Sequence, residues 1–261
     1  MLKPFVVAAA QLSVSPFPSV ADNLATHLHF VRLAAENDVQ LLVFPELSVT
    51  GYSLKLSKEA IFTVDDARLD ELHGACQETG VTACVGVPML ADTIDGTHIA
   101  SIVLHPGGSR HAHTKRFLDS SEIASFVPRT GGPLLDFPSA SEHTERVALA
   151  ICADTSCPLH PLSASQAGAT VYAAGSIISS ASYGAESARL ASYAKHYGMA
   201  VLLANHADGR GTGGYETKGG SAVWDEEGKV VVRAENGEGE VLVVARKSAE
   251  RGWAGEVIAL S

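Results

Sequence analysis

Cysteine is scarce in this chain, and its spacing excludes the usual cysteine-based frameworks. The 261 residues include 4 cysteines, none of them in a C-x-x-C pair. A disulfide scaffold or a cysteine zinc site needs denser and more regular spacing. Cys76 falls on the apolar face of a predicted helix and Cys84 falls within a predicted strand, so we expect both in the core. Free thiols and a cytoplasmic location are therefore expected.

Positive charge and long apolar runs are also in short supply. Lysine and arginine number 19 against 29 acidic residues, which gives a net charge of −10. Nucleic acids and anionic membranes both attract basic patches, so we expect neither as a partner. No apolar run approaches the ~20 residues of a membrane span. The opening "MLKPFVVAAAQL" faintly resembles a signal peptide, but Pro4 interrupts its short apolar part, so we predict a strand there.

Phosphate-binding and serine-nucleophile motifs are missing as well. No stretch matches a P-loop, and no G-x-S-x-G element occurs. The glycine-rich stretch "DGRGTGGYETKGG", residues 208–220, contains G-x-G but does not open a helix after a strand, which excludes a dinucleotide site. We predict a loop that borders a pocket or a hairpin.

What the chain does contain is an alternation of apolar strands and amphipathic helices. Residues 5–12 and 40–44 are typical of buried strands, and a helical stripe separates them. Ser19 and Asp22 predict a capping box at the start of that helix. The predicted stripe consists of Leu24, Leu28, Val31 and Ala35.

Further predicted strands and helices continue this alternation. "IASIVLH" and "RHAHTK" flank the turn "PGGS" and predict a hairpin. "VALAIC", "ATVYAA" and "AVLLAN" predict buried strands, with a short helix after the first and a helix near Ala185–Tyr197 before the last. "SAVWD", "VVVRA" and "EVLVVAR" predict a later antiparallel portion. The pattern indicates one α/β domain over residues 1–261.

Three positions at strand ends carry groups suited to covalent chemistry. Cys152 ends the run "VALAI" and is either the last core residue or a nucleophile. Glu46 follows an apolar run and a proline; a buried carboxylate there would move protons, whereas the alternative is an exposed loop residue. Lys115 would stabilise an oxyanion, unless it is a solvated surface lysine. The residues alone leave their proximity open.

Several histidines and one tyrosine allow further interpretations. His111 and His113 have a spacing that can ligate zinc, but no carboxylate or cysteine clearly completes the set, so we expect no metal. His160 and His206 either line a pocket or lie at the surface. Tyr52 either packs over the site or is a buried aromatic with a bonded hydroxyl.

Taken together, the motifs resemble those of the nitrilase, or carbon–nitrogen hydrolase, superfamily. "VFPELSVTGY", "KRFL" and "AICAD" occur in the order in which that family has its glutamate, lysine and cysteine. "EIASF" is similar to the segment with the family's second glutamate, here Glu122, before the aromatic Phe126. "AGATVYAAGS", "VLLANHADG" and "GGSAVWDEEGKVV" are similar to later strands, so the resemblance covers nearly the whole chain.

The resemblance implies a fold, a reaction and a set of site residues. It implies an α-β-β-α sandwich that pairs with a second subunit as a homodimer or higher oligomer. It implies cleavage of a non-peptide carbon–nitrogen bond in a small amide through a thioester, without a cofactor or a metal. Cys152 would be the nucleophile, Glu46 the base, Lys115 the oxyanion partner, and Glu122 would orient that lysine. The expected substrate contacts are Tyr52, Ala153, Asp154 and Ser176.

The chain departs from the family pattern just after the cysteine. Ala153, Ser156 and Cys157 stand where many members have an aromatic, an arginine and an aromatic, and Leu159 replaces a frequent glutamate. These smaller side chains change the expected pocket wall and leave amide, nitrile, carbamoyl and acyl-transfer substrates open. Cys157 is a rival nucleophile in principle. A non-catalytic binding protein and a metal-dependent hydrolase that uses His111 and His113 are the alternatives from other classes.

Overall fold

The computed structural model describes residues 4–92, 96–139, 144–235 and 237–260. Within these residues, seven strands form one sheet in the order β13-β12-β1-β2-β3-β4-β5, and six form another in the order β11-β10-β9-β8-β7-β6. The strands of the first sheet are β1 (Phe5–Gln11), β2 (Leu41–Val43), β3 (Thr82–Leu90), β4 (Thr97–Leu104), β5 (Arg110–Thr114), β12 (Val241–Ser248) and β13 (Gly252–Ala259). Those of the second are β6 (Leu135–Pro138), β7 (Thr144–Ile151), β8 (Val171–Ser176), β9 (Ala200–Asn205), β10 (Ala222–Trp224) and β11 (Val230–Arg233).

Helices cover the outer face of each sheet. The α-helices are α1 (Val20–Glu36), α2 (Asp70–Thr79), α3 (Leu159–Gln166) and α4 (Tyr183–Tyr197), and short 3₁₀ turns span Lys58–Ala60, Ala67–Leu69 and Cys152–Ser156. One apolar cluster joins α1 and α2 to the first sheet, and another joins α3 and α4 to the second. A third cluster lies between the two sheets. The predicted α-β-β-α sandwich is confirmed.

Strand β1 explains why the predicted strands have continuous apolar sequences. Its alternate residues Val6 and Ala8 pack against the helices, whereas Val7 and Ala9 pack against the other sheet. Side chains alternate between the faces of a strand, so a strand covered on both faces needs apolar residues at every position.

Helix α1 forms where its pattern predicted, but its buried face is rotated. Leu24, Leu28 and Ala35 are half-buried, whereas the buried face includes the polar Asn23 and His27. Asn23 is tolerated there because its amide donates to the carbonyl oxygens of Ser15 and Val49, at 2.8 and 3.0 Å. The predicted capping box is wrong: Ser19 precedes the helix but makes no side-chain capping bond.

Two strands were missing from the sequence prediction. β6 is four residues long, and β13 carries exposed and half-buried residues along its whole length. Both lie at a sheet edge and pair with one neighbour, β7 and β12 respectively. An edge strand without a regular apolar pattern leaves little signal in the sequence.

The parallel strands bring several chain segments to one edge. β7, β8 and β9 pair in parallel, so their carboxyl ends at Ile151, Ser176 and Asn205 lie side by side. In the other sheet, β2 ends just before Glu46. Functional groups of α/β proteins collect at such strand ends. No helix in the described ranges is long and apolar enough to cross a membrane.

Candidate active site

Glu46, Lys115 and Glu122 form one buried charged group. The Lys115 ammonium donates to Glu46 Oε1 at 2.6 Å and to Glu122 Oε1 at 2.8 Å. The three residues are 3%, 1% and 2% exposed, respectively. The alternatives of an exposed glutamate and a solvated surface lysine are therefore wrong. Buried charges are tolerated when they are paired and hydrogen-bonded, as they are here.

The segment that carries Glu46 is held by backbone packing between the two sheets. A Cβ on Gly86 would lie 2.4 Å from the Pro45 carbonyl oxygen, and one on Gly175 would lie 2.4 Å from that of Phe44. Only glycine allows backbones to approach so closely. His206 Nε2 donates to the Glu46 carbonyl oxygen at 2.9 Å and so helps to hold this segment. His206 does not line the cavity.

Cys152 begins a tight 3₁₀ turn directly after β7. Its φ of 44° lies in the left-handed region, which is strained for a residue with a side chain. The thiol is half-buried, and its Sγ lies 3.7 Å from the Ile177 carbonyl oxygen. Thr155 Oγ1 donates to the Cys152 carbonyl oxygen at 2.8 Å and closes the turn. The thiol therefore projects from a fixed turn.

Asp154 ties this turn to the chain that follows Lys115. Its Oδ1 accepts from the amides of Arg116 and Phe117 at 3.0 and 2.8 Å, and its Oδ2 accepts from the Ile151 amide at 2.9 Å. Three backbone hydrogen bonds compensate for the burial of this carboxylate. The relative position of Lys115 and Cys152 therefore depends on Asp154.

The electrostatics favour a neutral thiol next to a charged lysine. Burial raises the pKa of the Cys152 thiol well above its ordinary value, the Glu46 charge raises it further, and Lys115 opposes both. Burial alone would lower the pKa of Lys115, but the neighbouring carboxylates outweigh it and raise that pKa. Burial raises the pKa of Glu46 while Lys115 and a bond from the Cys152 thiol lower it. The carboxylate is thus placed to accept the thiol proton.

A small cavity of about 140 Å³ opens at this group. Five of the residues predicted for the site line it: Glu46, Tyr52, Glu122, Cys152 and Ala153. Tyr52 is buried, and its hydroxyl donates to Glu122 Oε1 at 3.3 Å. Lys115 lies behind the two carboxylates that it bonds. The structure therefore brings the four predicted catalytic residues together.

Two of the predicted substrate-binding residues, Asp154 and Ser176, do not line the cavity. Asp154 is fully buried behind the cavity, and backbone amides engage both of its oxygens. Ser176 is also fully buried, at the end of β8, and does not line the cavity. Both lie at or near strand ends in sequence, but neither side chain is among those that line the cavity. Cys157 closes the 3₁₀ turn and is likewise not a lining residue.

Other lining residues were missed by the sequence analysis. They come mainly from the nucleophile turn, the segment after β8 and helix α4: Asp119, Thr155, Ile177, Ile178, Ser182, Glu186 and Tyr215. Ser156, which the sequence analysis placed at the pocket wall, also lines the cavity. Tyr215 lies in the glycine-rich stretch, which forms a loop that borders the cavity as predicted. Its ring meets that of Tyr52 edge-on at 5.8 Å.

The H-x-H pair does not act as a unit. Among the described residues, His113 lies close to the potential metal ligands Asp154 and His160, whereas His111 belongs to no such group. His160 packs against Tyr172, whose hydroxyl oxygen lies 2.8 Å from His160 Nδ1. Neither His113 nor His160 lines the cavity.

Comparisons with known proteins identify a family and similar folds. The model of the carbon–nitrogen hydrolase family matches residues 6–254. Nit3 of Saccharomyces cerevisiae, a member of branch 10 of the nitrilase superfamily, has a similar structure with a TM-score of 0.82 and 23% identity, over 95% of this chain and 91% of that one.

Two structures of variants of the amidase from Nesterenkonia sp. AN1 are also similar. In one, acrylamide has undergone Michael addition at the active-site cysteine; it has a TM-score of 0.77 and 21% identity, over 92% of each chain. In the other, the acetamide moiety of fluoroacetamide is joined to that cysteine; it has a TM-score of 0.79 and 21% identity, over 94% of this chain and 92% of that one. At this identity the likeness establishes the fold. Because the family model matches nearly the whole sequence, the chain belongs to the carbon–nitrogen hydrolase family.

Proposed function

We propose that this protein is a thiol amidase that hydrolyses a small carboxamide and releases ammonia. The observation that carries the proposal is the ammonium of Lys115, held at 2.6 and 2.8 Å between Glu46 and Glu122 beside the Cys152 turn. A base and a nucleophile then face one small cavity, and a fixed positive charge lies directly behind the base. These are the groups that acyl transfer through a thioester requires.

In the acylation step, Glu46 takes the proton of the Cys152 thiol as sulfur attacks the amide carbon. The Lys115 ammonium stabilises the negative oxygen of the tetrahedral intermediate. Glu46 then gives its proton to the departing nitrogen, the carbon–nitrogen bond breaks and ammonia leaves. The thioester on Cys152 is the product of this half of the reaction.

In the deacylation step, Glu46 is again a carboxylate and removes a proton from water. The hydroxyl attacks the thioester carbon, and Lys115 again stabilises the oxyanion. The carbon–sulfur bond breaks and the proton returns to the sulfur, which releases the acid and restores the thiol. Glu122 keeps Lys115 in place throughout, because it shares the ammonium with Glu46.

The cavity favours a small substrate without a negative charge. Its 140 Å³ is well below the ~300 Å³ at which drug-sized pockets begin. Glu46, Asp119, Glu122 and Glu186 contribute carboxylates to its wall, and Arg189 beside it is already paired with Glu186. The small amides joined to the cysteine of the Nesterenkonia amidase variants support the same substrate class.

The testing experiment is ammonia release from a panel of substrates. The panel holds small neutral amides, ω-amides of dicarboxylic acids, nitriles and carbamoyl amino acids, each with wild type, Cys152→Ala and the matched control Cys157→Ala. We expect release from the neutral amides by wild type and Cys157→Ala, and none by Cys152→Ala. Full activity in Cys152→Ala would contradict the mechanism.

Other outcomes of the panel would point to the alternatives. Release from nitriles or carbamoyl compounds alone would replace the proposed substrate class while keeping the nucleophile. Absence of release from every class would favour a non-catalytic binding protein on this scaffold.

The setting of this activity is part of the proposal. We propose that residues 1–261 act as one domain in a reducing compartment such as the cytoplasm, because a free thiol is the nucleophile and Cys76, Cys84 and Cys157 are also free. The homodimer stays a prediction, which light scattering would test.

A further inference from the structure

A buried group of potential metal ligands lies behind the nucleophile turn. It comprises His113 on β5, Asp154 in the turn and His160 on α3, whose ligating atoms all lie within 4.8 Å of one another. The three residues are 4%, 0% and 7% exposed. None of them lines the substrate cavity. The group is therefore separate from the site described above.

His113 is the unexplained member of this group. Both of its ring nitrogens are buried and find no hydrogen-bond partner among the described residues. A neutral imidazole with a free lone pair is the form that ligates metals. An unpaired buried polar group otherwise costs free energy.

His160 and Asp154 each have one side available for an ion. His160 Nδ1 is engaged by the Tyr172 hydroxyl, whereas its Nε2 lies 3.7 Å from Asp154 Oδ2, beyond hydrogen-bond length. Backbone amides fix the Asp154 carboxylate from its other sides. Ligating histidines commonly have such a partner on their second nitrogen, and ligating carboxylates are commonly hydrogen-bonded in turn.

We propose that His113, Asp154 and His160 form a structural site for a divalent transition-metal ion, with zinc as the first candidate. Two imidazoles and a carboxylate suit zinc, and water would supply a fourth ligand. Zinc–ligand distances of about 2.1 Å place tetrahedral ligands about 3.4 Å apart. The three ligating atoms, which lie within 4.8 Å of one another, would therefore move closer together when the ion binds.

The position of the site assigns it a supporting role. His113 lies two residues before Lys115, and Asp154 lies two residues after Cys152. An ion shared by them and by His160 would join β5, the nucleophile turn and α3. It would therefore stabilise the strained turn without touching the substrate.

The experiment measures zinc binding by the chain after treatment with a chelator. Zinc alone is added back, excess is removed, and retained zinc is measured by elemental analysis beside thermal unfolding. The variants are His113→Ala, the matched control His111→Ala from the same strand, and Cys152→Ala, because a thiol is also a zinc ligand.

We expect wild type, His111→Ala and Cys152→Ala to retain about one zinc ion per chain. Their Tm should rise by about 5 °C or more when zinc is a hundredfold above Kd. His113→Ala should retain none and show no rise. Equal zinc in His113→Ala and wild type would overturn the proposal. Absence of zinc from all of the proteins would also overturn it, and a water molecule between the three side chains would then be the alternative.

A second measurement on the wild type covers the case in which His113→Ala does not fold. X-ray absorption at the zinc edge should show a first shell of nitrogen and oxygen, with the scattering pattern of two imidazole rings. A shell that contains sulfur would place the ion on a cysteine and overturn the proposal.

Discussion

Lys115 is the charge on which the proposed chemistry depends most. Replacement by methionine removes the positive charge opposite the developing oxyanion and leaves Glu46 and Glu122 without their shared partner. We expect Lys115→Met to lose about 3 kcal/mol or more of transition-state stabilisation, which is a rate loss of about a hundredfold or more. Single-turnover acylation measures this loss. Arg116→Met, at the exposed neighbouring position, is the control, and a near-normal rate in Lys115→Met would contradict the assigned role.

Glu46 should set the acid side of the pH profile. The free carboxylate is the active form, and burial raises its pKa above the ordinary 4.5. As the pH falls through that raised pKa, Glu46 is protonated and activity is lost. We therefore expect kcat/KM to decline at a pH clearly above 4.5. A decline centred at or below that value would show that another group controls the acid limb.

At this scale the sequence predicted the charged residues and the thiol that the structure brings together, but not how they are held. Glu46, Lys115, Glu122 and Cys152 each follow a recognisable motif. The role of Asp154 was missed, because its partners are backbone amides of a segment distant in sequence. The same holds for the group of His113, Asp154 and His160, which a search of local spacing around H-x-H does not find.

At the scale of elements, the position of the Glu46 segment depends on Gly86 of β3, which has no side chain. A Cβ on Gly86 would lie 2.4, 2.5 and 3.0 Å from backbone atoms of Pro45, Leu47 and Ser48. Because these are backbone atoms, relief requires the whole segment to move. We expect Gly86→Ala to displace Glu46, to reduce activity at least tenfold and to destabilise the fold by about 1–3 kcal/mol.

Gly74→Ala is the matched control for that change. Gly74 lies within α2, and no atom would contact an added Cβ within 4 Å. Alanine there should leave activity unchanged and stabilise the helix by about 0.5–1 kcal/mol. Urea unfolding and ammonia release measure both effects. Wild-type activity in Gly86→Ala would contradict the account of how this segment is positioned.

Element prediction succeeded where burial imposed a pattern. The predicted helix with Cys76 on its apolar face forms as α2 and buries that residue, and the hairpin around "PGGS" forms between β4 and β5. β13 was missed because its residues are exposed or only half-buried, so packing imposes no regular alternation on its sequence. The buried face of α1 was misplaced because Asn23 and His27 are polar, and tertiary hydrogen bonds override their preference for solvent.

At the scale of the whole molecule, the site is assembled from both sheets. Glu46 and Lys115 follow strands of one sheet and Cys152 follows a strand of the other. Two buried histidines support the first side: His27 stacks on Phe44 at 4.1 Å, and His206 donates to the Glu46 carbonyl oxygen. Burial lowers the pKa of each to about 4.

These histidines should make stability depend on pH. In the unfolded chain they are protonated below about 6.5, whereas in the folded chain they stay neutral down to about 4. Their contribution is therefore complete above 6.5 and is lost as the pH falls from 6.5 towards 4, by an order of 3 kcal/mol for each. Urea unfolding across that range measures the loss. His27→Gln and His206→Gln should flatten the dependence, whereas His29→Gln, exposed on α1, should not; identical curves for all would contradict the assignment.

The proposed mechanism requires a thioester on Cys152, and the mass of the enzyme during turnover reveals whether that thioester forms. The chain is mixed with a small amide, quenched rapidly in acid, digested and analysed by mass spectrometry. We expect the peptide with Cys152 to gain the mass of the acyl group in the wild type and in Cys157→Ala. The corresponding peptide of Cys152→Ala should gain no mass. An adduct on Cys157 alone would contradict this mechanism. Turnover by Cys152→Ala without any adduct would also contradict it.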